Sequence, residues 1–209
     1  MSNLILIPLL LLGADDAKWK LSADGDVKVY TREHAGSDVR EMKAVGLIDA
    51  TPAEVWKAIR DYDGYTKNMP YTVEAKVLTR SPGDKEILFY SRLETPLVSS
   101  RDYIILLKDE SDWKDGAGFM KVSWVAAPKE ADAQAPEKKD VVRVRVNDGY
   151  WLLEPKENGT KTFGTYYVYT NPGGSIPSFI ANSANDIAVP KVFDSIRKTT
   201  TAHKTPAKK

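Results

Sequence analysis

The sequence contains no cysteine. That absence removes disulfide frameworks, thiolate zinc sites and thiol nucleophiles together. Histidine is nearly absent too, with only His34 and His203 among 209 residues. His203 sits in a lysine-bearing terminal segment, so chemistry built on an imidazole base is not expected. Neither sign of charge dominates, since 30 Lys and Arg face 29 Asp and Glu for a net charge of +1. A nucleic-acid binder neutralises several phosphates from a clustered basic face, and no such excess exists here. Nucleic acid is therefore excluded as an expected partner, and no spacing of ligating side chains calls for a metal or cofactor. Long apolar runs are also missing. The longest, Leu4 to Leu12, falls short of the roughly 20 residues that a spanning helix needs.

What is present is an ordinary globular composition, 42% hydrophobic and 28% charged, at a length that suits one domain. The run from Leu4 to Leu12, followed by Gly13-Ala14, reads as a signal-peptide core, which makes residues 1–14 a leader. With a leader the protein is exported, to the periplasm or beyond; without one it is cytoplasmic. Residues 199–209, with Lys204, Lys208 and Lys209, read as a disordered basic tail. The domain between them spans residues 19–198.

Within it, many short strands are punctuated by turns. Val27 to Thr31 and Val39 to Ile48 read as strands, and Thr51-Pro52-Ala53-Glu54 reads as a capping box that starts a helix. Val55, Trp56, Ile59 and Tyr62 recur at helical spacing as its buried stripe. Strands follow between Ser81-Pro82-Gly83-Asp84, Asp112 to Gly118 and the hairpin signal Asn158-Gly159. Ala126 to Asp140 reads as a mobile connection. After Asn171-Pro172-Gly173-Gly174 the period becomes helical through Ile180, Ala184, Ile187, Ala188, Val192 and Ile196, with Pro190 expected to kink the helix.

An antiparallel sheet with one long terminal helix across it either fills the space between them or roofs a cavity. Phe89, Met120, Val122, Trp124, Val142 and Val144 are candidates for the face beneath the helix, together with Tyr150, Leu152, Phe163, Tyr167 and Tyr169. Core and cavity lining remain alternative readings of these residues. From the helix, Phe179, Ile180, Ala184 and Ile187 join the candidates, and Tyr90 and Asn182 offer hydrogen-bonding groups. Of the strand arginines Arg92, Arg143 and Arg145, alternation favours a solvated outer face for the last two; an Arg that pointed inward would instead suit an anionic head group.

Pro96-Leu97-Val98-Ser99-Ser100-Arg101-Asp102-Tyr103, the later Tyr150-Trp151-Leu152-Leu153-Glu154-Pro155 and the segment Asn171 to Asn182, followed by Val189-Pro190, resemble the StAR-related lipid-transfer (START) domain. The resemblance covers roughly residues 19–198. It implies an α+β helix-grip fold, a curved antiparallel sheet wrapped on the C-terminal helix, with a tunnel for one sterol, hopanoid or phospholipid. It further implies a non-enzymatic carrier that touches membranes transiently, and a monomer is expected. Leu97 and Val98 match the family's first loop, which with the helix from Ile176 onward would gate the tunnel. Arg101-Asp102 matches the family's Arg-Asp pair after that loop, read as an ion pair fixing the strand start, with direct ligand contact as the alternative. Leu88 and Leu107 fall where some sterol-binding members place an acid and a base, so a sterol hydroxyl would lack that anchor. Two rivals are a helix-grip enzyme, requiring Glu94, Asp102 or Asp186 in the cavity, and a partner-binding domain with a filled core.

Overall fold

The computed structural model describes residues 19–202 apart from Leu97 and Ser175. The leader and the end of the basic tail, residues 203–209, lie outside the described residues, as does Leu97. The chain runs β1 (Lys20–Ala23), β2 (Val27–His34), β3 (Ser37–Ile48), α1 (Pro52–Ile59), α2 (Tyr65–Asn68), β4 (Thr72–Arg80) and β5 (Glu86–Leu93). It continues through β6 (Arg101–Asp109), β7 (Asp112–Lys114), β8 (Ala117–Ala126), β9 (Val142–Arg143), β10 (Val146–Lys156), β11 (Lys161–Asn171) and α3 (Ser178–Ala202). The main sheet has the order β1-β2-β3-β11-β10-β8-β6-β5-β4. Its pairings along that path are antiparallel, and β9 adds a short parallel pairing to β6. This curved sheet with a C-terminal helix is the helix-grip architecture.

Local signals explain the elements. Thr51 caps α1 as expected: its hydroxyl accepts from the Glu54 amide at 3.3 Å while the Glu54 carboxylate accepts from the Thr51 amide at 2.7 Å. Val55, Ile59 and Tyr62 are buried. The hairpin at Asn158 places positive φ at Glu157, Asn158 and Gly159, and β10 and β11 pair from Lys156–Lys161 to Val146–Asn171 without a shift. The helix α3 passes the expected end near Lys198 and continues to Ala202.

A glycine slot seats α3 on the sheet. Gly46 of β3 pairs directly with Gly164 of β11, and the fully buried Phe193 ring lies over both. A Cβ at either glycine would come 3.3 Å from that ring. The aromatic ring thus occupies room that two side chains would otherwise take, and it also packs 5.4 Å from the Trp151 ring.

Two expectations are corrected on the convex face. The connection from Ala126 to Asp140 is folded: residues Lys129–Ala133 form a 3-10 turn and Ala131 is buried against Tyr90 and Ile104. Beneath it lies Arg143, which is buried rather than solvated. The parallel register of β9 sets Arg143 opposite Asp102, and their side chains are 3% and 1% exposed. The guanidinium donates twice to that carboxylate, at 2.6 and 3.1 Å, and also to Asp132 and the Ala135 carbonyl. Alternation put Arg143 on the outer face correctly; the folded connection then covered it.

Candidate ligand-binding site

Between the concave face of β5, β6, β8, β10 and β11 and the inner side of α3 is a cavity, completed at one end by Ile59, Tyr62 and Tyr65. The volume open to the centres of water-sized spheres is about 210 Å³. A single water takes about 10–15 Å³ on that measure, so this space exceeds anything a filled core leaves. Its walls are mostly aromatic and aliphatic. Trp151 packs 4.7 Å from Tyr166, Trp124 stacks on Tyr166 at 5.9 Å, and Phe89 packs on Tyr62 and Tyr65 with ring centres 5.3 and 5.5 Å apart. Gly149 makes room for Trp124, because a Cβ there would fall 2.3 Å from the indole.

Few polar groups interrupt this surface, and each has a distinct environment. The Tyr62 hydroxyl is buried with no hydrogen-bond partner among the described residues, and burial pushes its pKa up to about 12. Tyr65 donates to the Ile59 carbonyl at 2.5 Å. Burial raises the Tyr103 and Tyr166 phenols as well. Asn147 accepts from the Trp124 indole at 3.1 Å and from the Thr170 hydroxyl at 3.2 Å. Arg101 is 5% exposed and is the one charged side chain among the described lining residues.

The expected ion pair between Arg101 and Asp102 does not form. Neighbours on a strand point to opposite faces, so Arg101 faces the cavity while Asp102 meets Arg143. Arg101 instead donates to Ser99, through both its carbonyl and its hydroxyl, and to the Pro172 carbonyl at 3.4 Å.

Of the residues singled out from sequence, Phe89, Val98, Val122, Trp124, Val144 and Ala184 line the cavity. Leu107 lines it too, as an apolar side chain. Others lie elsewhere for definable reasons. In β10 and β11 the expectation chose the wrong alternating set: Trp151 and Leu153 are buried inside, whereas Tyr150 stacks on Tyr167 at 5.2 Å on the outer face. Leu152 and Phe163 share that outer set, and Tyr169 stacks on His34 at 3.6 Å. Tyr167 donates to Glu41 at 3.2 Å. Tyr90 is buried on the convex side and donates to Asp102 at 3.2 Å. Met120 packs at the edge of the core beyond the cavity, and Val142 lies beside Gly173 and Gly174 without lining it. On α3, Phe179 and Ile187 are 69% and 41% exposed, and Ile180 does not reach the cavity. Asn182 ties α3 to β3, accepting from the Arg40 amide at 2.9 Å.

Arg101 lines the cavity, as the alternative to its ion pair allowed, and sequence reasoning missed Asn147, Trp151, Tyr166, Val168, Ala181 and Val189 as lining groups. The hairpin register at Asn158 carries the missing signal, since it puts Trp151 opposite Tyr166 and Asn147 opposite Thr170. No Asp or Glu lines the cavity among the described residues. Glu94 pairs with Arg92, Asp186 with Arg40 and Asp102 with Arg143, all outside it. The carboxylates that acid or base catalysis would need are therefore engaged elsewhere.

Comparison with known proteins agrees with this geometry. The profile of the family described as polyketide cyclase / dehydrase and lipid transport matches residues 48–197. An uncharacterised protein of Pseudomonas aeruginosa is 35% identical over 167 residues, covering 79% of this chain and 78% of that one. The phosphatidylcholine transfer protein of Mus musculus is 28% identical over 192 residues, covering 90% and 85%. The crystal structure of a STAR-related lipid transfer protein from Xanthomonas axonopodis superposes with a TM-score of 0.75 at 29% identity, covering 88% of this chain and 98% of that one.

Proposed function

Because the chain belongs to the polyketide cyclase / dehydrase and lipid transport family, we propose that it binds one lipid molecule in the cavity beneath α3 and carries it between membranes without chemical change. The observation that carries this reading is the cavity itself: apolar, larger than packing defects, and lined by no carboxylate among the described residues. The lipid-transfer relatives support it.

A lipid that loses roughly 400 Å² of apolar surface gains on the order of 10 kcal/mol relative to water, at about 25 cal/mol per Å². A bilayer offers nearly the same. Transfer between membrane and protein is then close to neutral, which lets a carrier both load and release, and the shape and few polar groups of the cavity choose the ligand. The loop from Thr95 to Pro96 meets α3 at Ala184 and Ile187, beside the cavity wall formed by Val98 and Ile176. Exposed Ile187 at that seam and exposed Phe179, two turns earlier on α3, supply the apolar surface for brief bilayer contact.

Native mass spectrometry of the purified protein, followed by organic extraction, tests the reading. A stoichiometric lipid is expected. An empty protein that also takes up no member of a panel of sterols, phospholipids and fatty acids would refute it and return weight to an enzyme acting on another apolar molecule.

A further inference from the structure

The polar end of the cavity holds one cation and no carboxylate among the described residues. Arg101 is 5% exposed, and the ion pairs of the described residues include none to it. Its Nε and Nη1 donate to the Pro172 carbonyl and to Ser99, neutral acceptors that fix the plane of the guanidinium without balancing its charge. Its Nη2 makes no hydrogen bond among the described residues. Burial pushes the Arg101 pKa down, as expected for a cation withdrawn from water with no anion beside it. Asn147 lines the same cavity and holds Thr170, two residues before the Pro172 carbonyl that Arg101 holds, and its orientation follows from chemistry. The Trp124 indole can only donate, so the amide oxygen must face it. The Asn147 Nδ2 is left with no partner among the described residues. Gly174, without a side chain, flanks Nη2: a Cβ there would stand 3.7 Å away.

We propose that Arg101 and Asn147 form a headgroup subsite that takes the oxyanion of an acidic lipid, a phosphate or a carboxylate, with the acyl chain running toward Tyr62. A buried guanidinium costs several kcal/mol unless it is paired, and the planar fork suits a bidentate oxyanion. The depth fits an amphiphile. Arg101 pairs with Leu93 on β5, and Phe89, which contacts Tyr62, lies four residues further along that strand, about 13 Å at the rise of an extended chain. Between them the wall carries Tyr103 and Ile105 of β6. This inference rests on the lipid-binding reading and adds the chemical class of the head.

The test uses the delipidated full chain and three probes with the same oleoyl chains or length: dioleoyl phosphatidic acid, oleate and dioleoylglycerol, with cholesterol as a fourth. The wild type should bind at least one of the two acids tenfold or more tightly than dioleoylglycerol. Preference for phosphatidic acid alone marks the oxyanion as phosphate, and preference for oleate alone marks it as carboxylate; either supports the subsite. Arg101→Gln should abolish that preference while leaving dioleoylglycerol binding within twofold. If that variant does not fold, the wild-type preference still decides. Equal binding of dioleoylglycerol and both acids would overturn the headgroup subsite while keeping the lipid-binding reading. Binding of none of the four would remove both.

Discussion

Ala188 offers a direct test of whether the space under α3 is a void that a ligand fills. It lies on the cavity side of the helix, one residue before the buried Val189. Ala188→Leu adds three carbons. In a packed interior such overfilling costs about 1–3 kcal/mol. In a cavity of about 210 Å³ the added carbons find room. At about 0.8 kcal/mol per buried methylene they contribute about 2.4 kcal/mol, and loss of side-chain freedom removes about 0.5–1 kcal/mol of that. The net is a stabilisation of about 1.5 kcal/mol, or a Tm rise of about 3–6 °C for a domain of this size. The same carbons occupy ligand space, so lipid binding should weaken by about tenfold, the equivalent of about 1.4 kcal/mol. Calorimetry of the delipidated protein and a titration with fluorescent lipid measure the two effects. A variant destabilised by 1–3 kcal/mol that binds lipid normally would refute the reasoning.

Two further outcomes are expected. Arg143→Met leaves the buried Asp102 carboxylate without its cation and should cost about 3–5 kcal/mol in denaturant unfolding; adding Asp102→Asn should recover most of that loss, and a double variant no more stable than Arg143→Met would count against the pairing. Burial alone would raise the Glu41 pKa, but hydrogen bonds from Arg32 and His34 outweigh it and hold the carboxyl below its ordinary value of 4.5. Its contribution to stability is therefore complete above about pH 4.5 and is lost as acid protonates the folded state below that. Glu41→Gln should lower stability at neutral pH and flatten the acid limb of a Tm-against-pH curve; an unchanged limb would show that Glu41 carries none of it.

The helices α1 and α3 were the legible part of this fold, whereas the short α2 was not read. The capping residues of α1 and the change to helical period after Gly174 are local signals, and local interactions decide them. The phase of β10 and β11 was not legible, because both faces of these strands are aromatic. Tyr150 and Tyr167 cover one another, Trp19 meets Tyr167 edge-on at 6.1 Å, and Tyr169 is covered by His34, Val39 and Ala181. When a sheet is covered on both faces, alternation in hydrophobicity disappears and only register can choose. Arg101 and Asp102 show the converse case. Opposite charges adjacent in sequence look paired, yet on a strand they are separated by the sheet, and each partner must be sought on its own face. Arg143 was hidden by its covering connection, whose composition gave no sign that Ala131 would be buried.

The glycine slot that seats Phe193 divides α3 into two mechanical pieces. Beyond Pro190, which lacks the amide hydrogen that would reach the Asp186 carbonyl, Phe193, Ile196 and Thr200 are nearly inaccessible. Peeling this piece from the sheet would expose two large apolar side chains, at about 1.5–3 kcal/mol each. Before Pro190 the helix presents Phe179 and Ile187 outward and buries mainly Ala181 and Val189. The amino-terminal piece buries less apolar surface and is held to β3 by polar ties, Asn182 to the Arg40 amide and Asp186 to the Arg40 guanidinium. If the cavity holds a lipid as proposed, opening this piece alone would release it with the slot and the sheet intact, so that turnover of cargo and lifetime of the protein would be set independently.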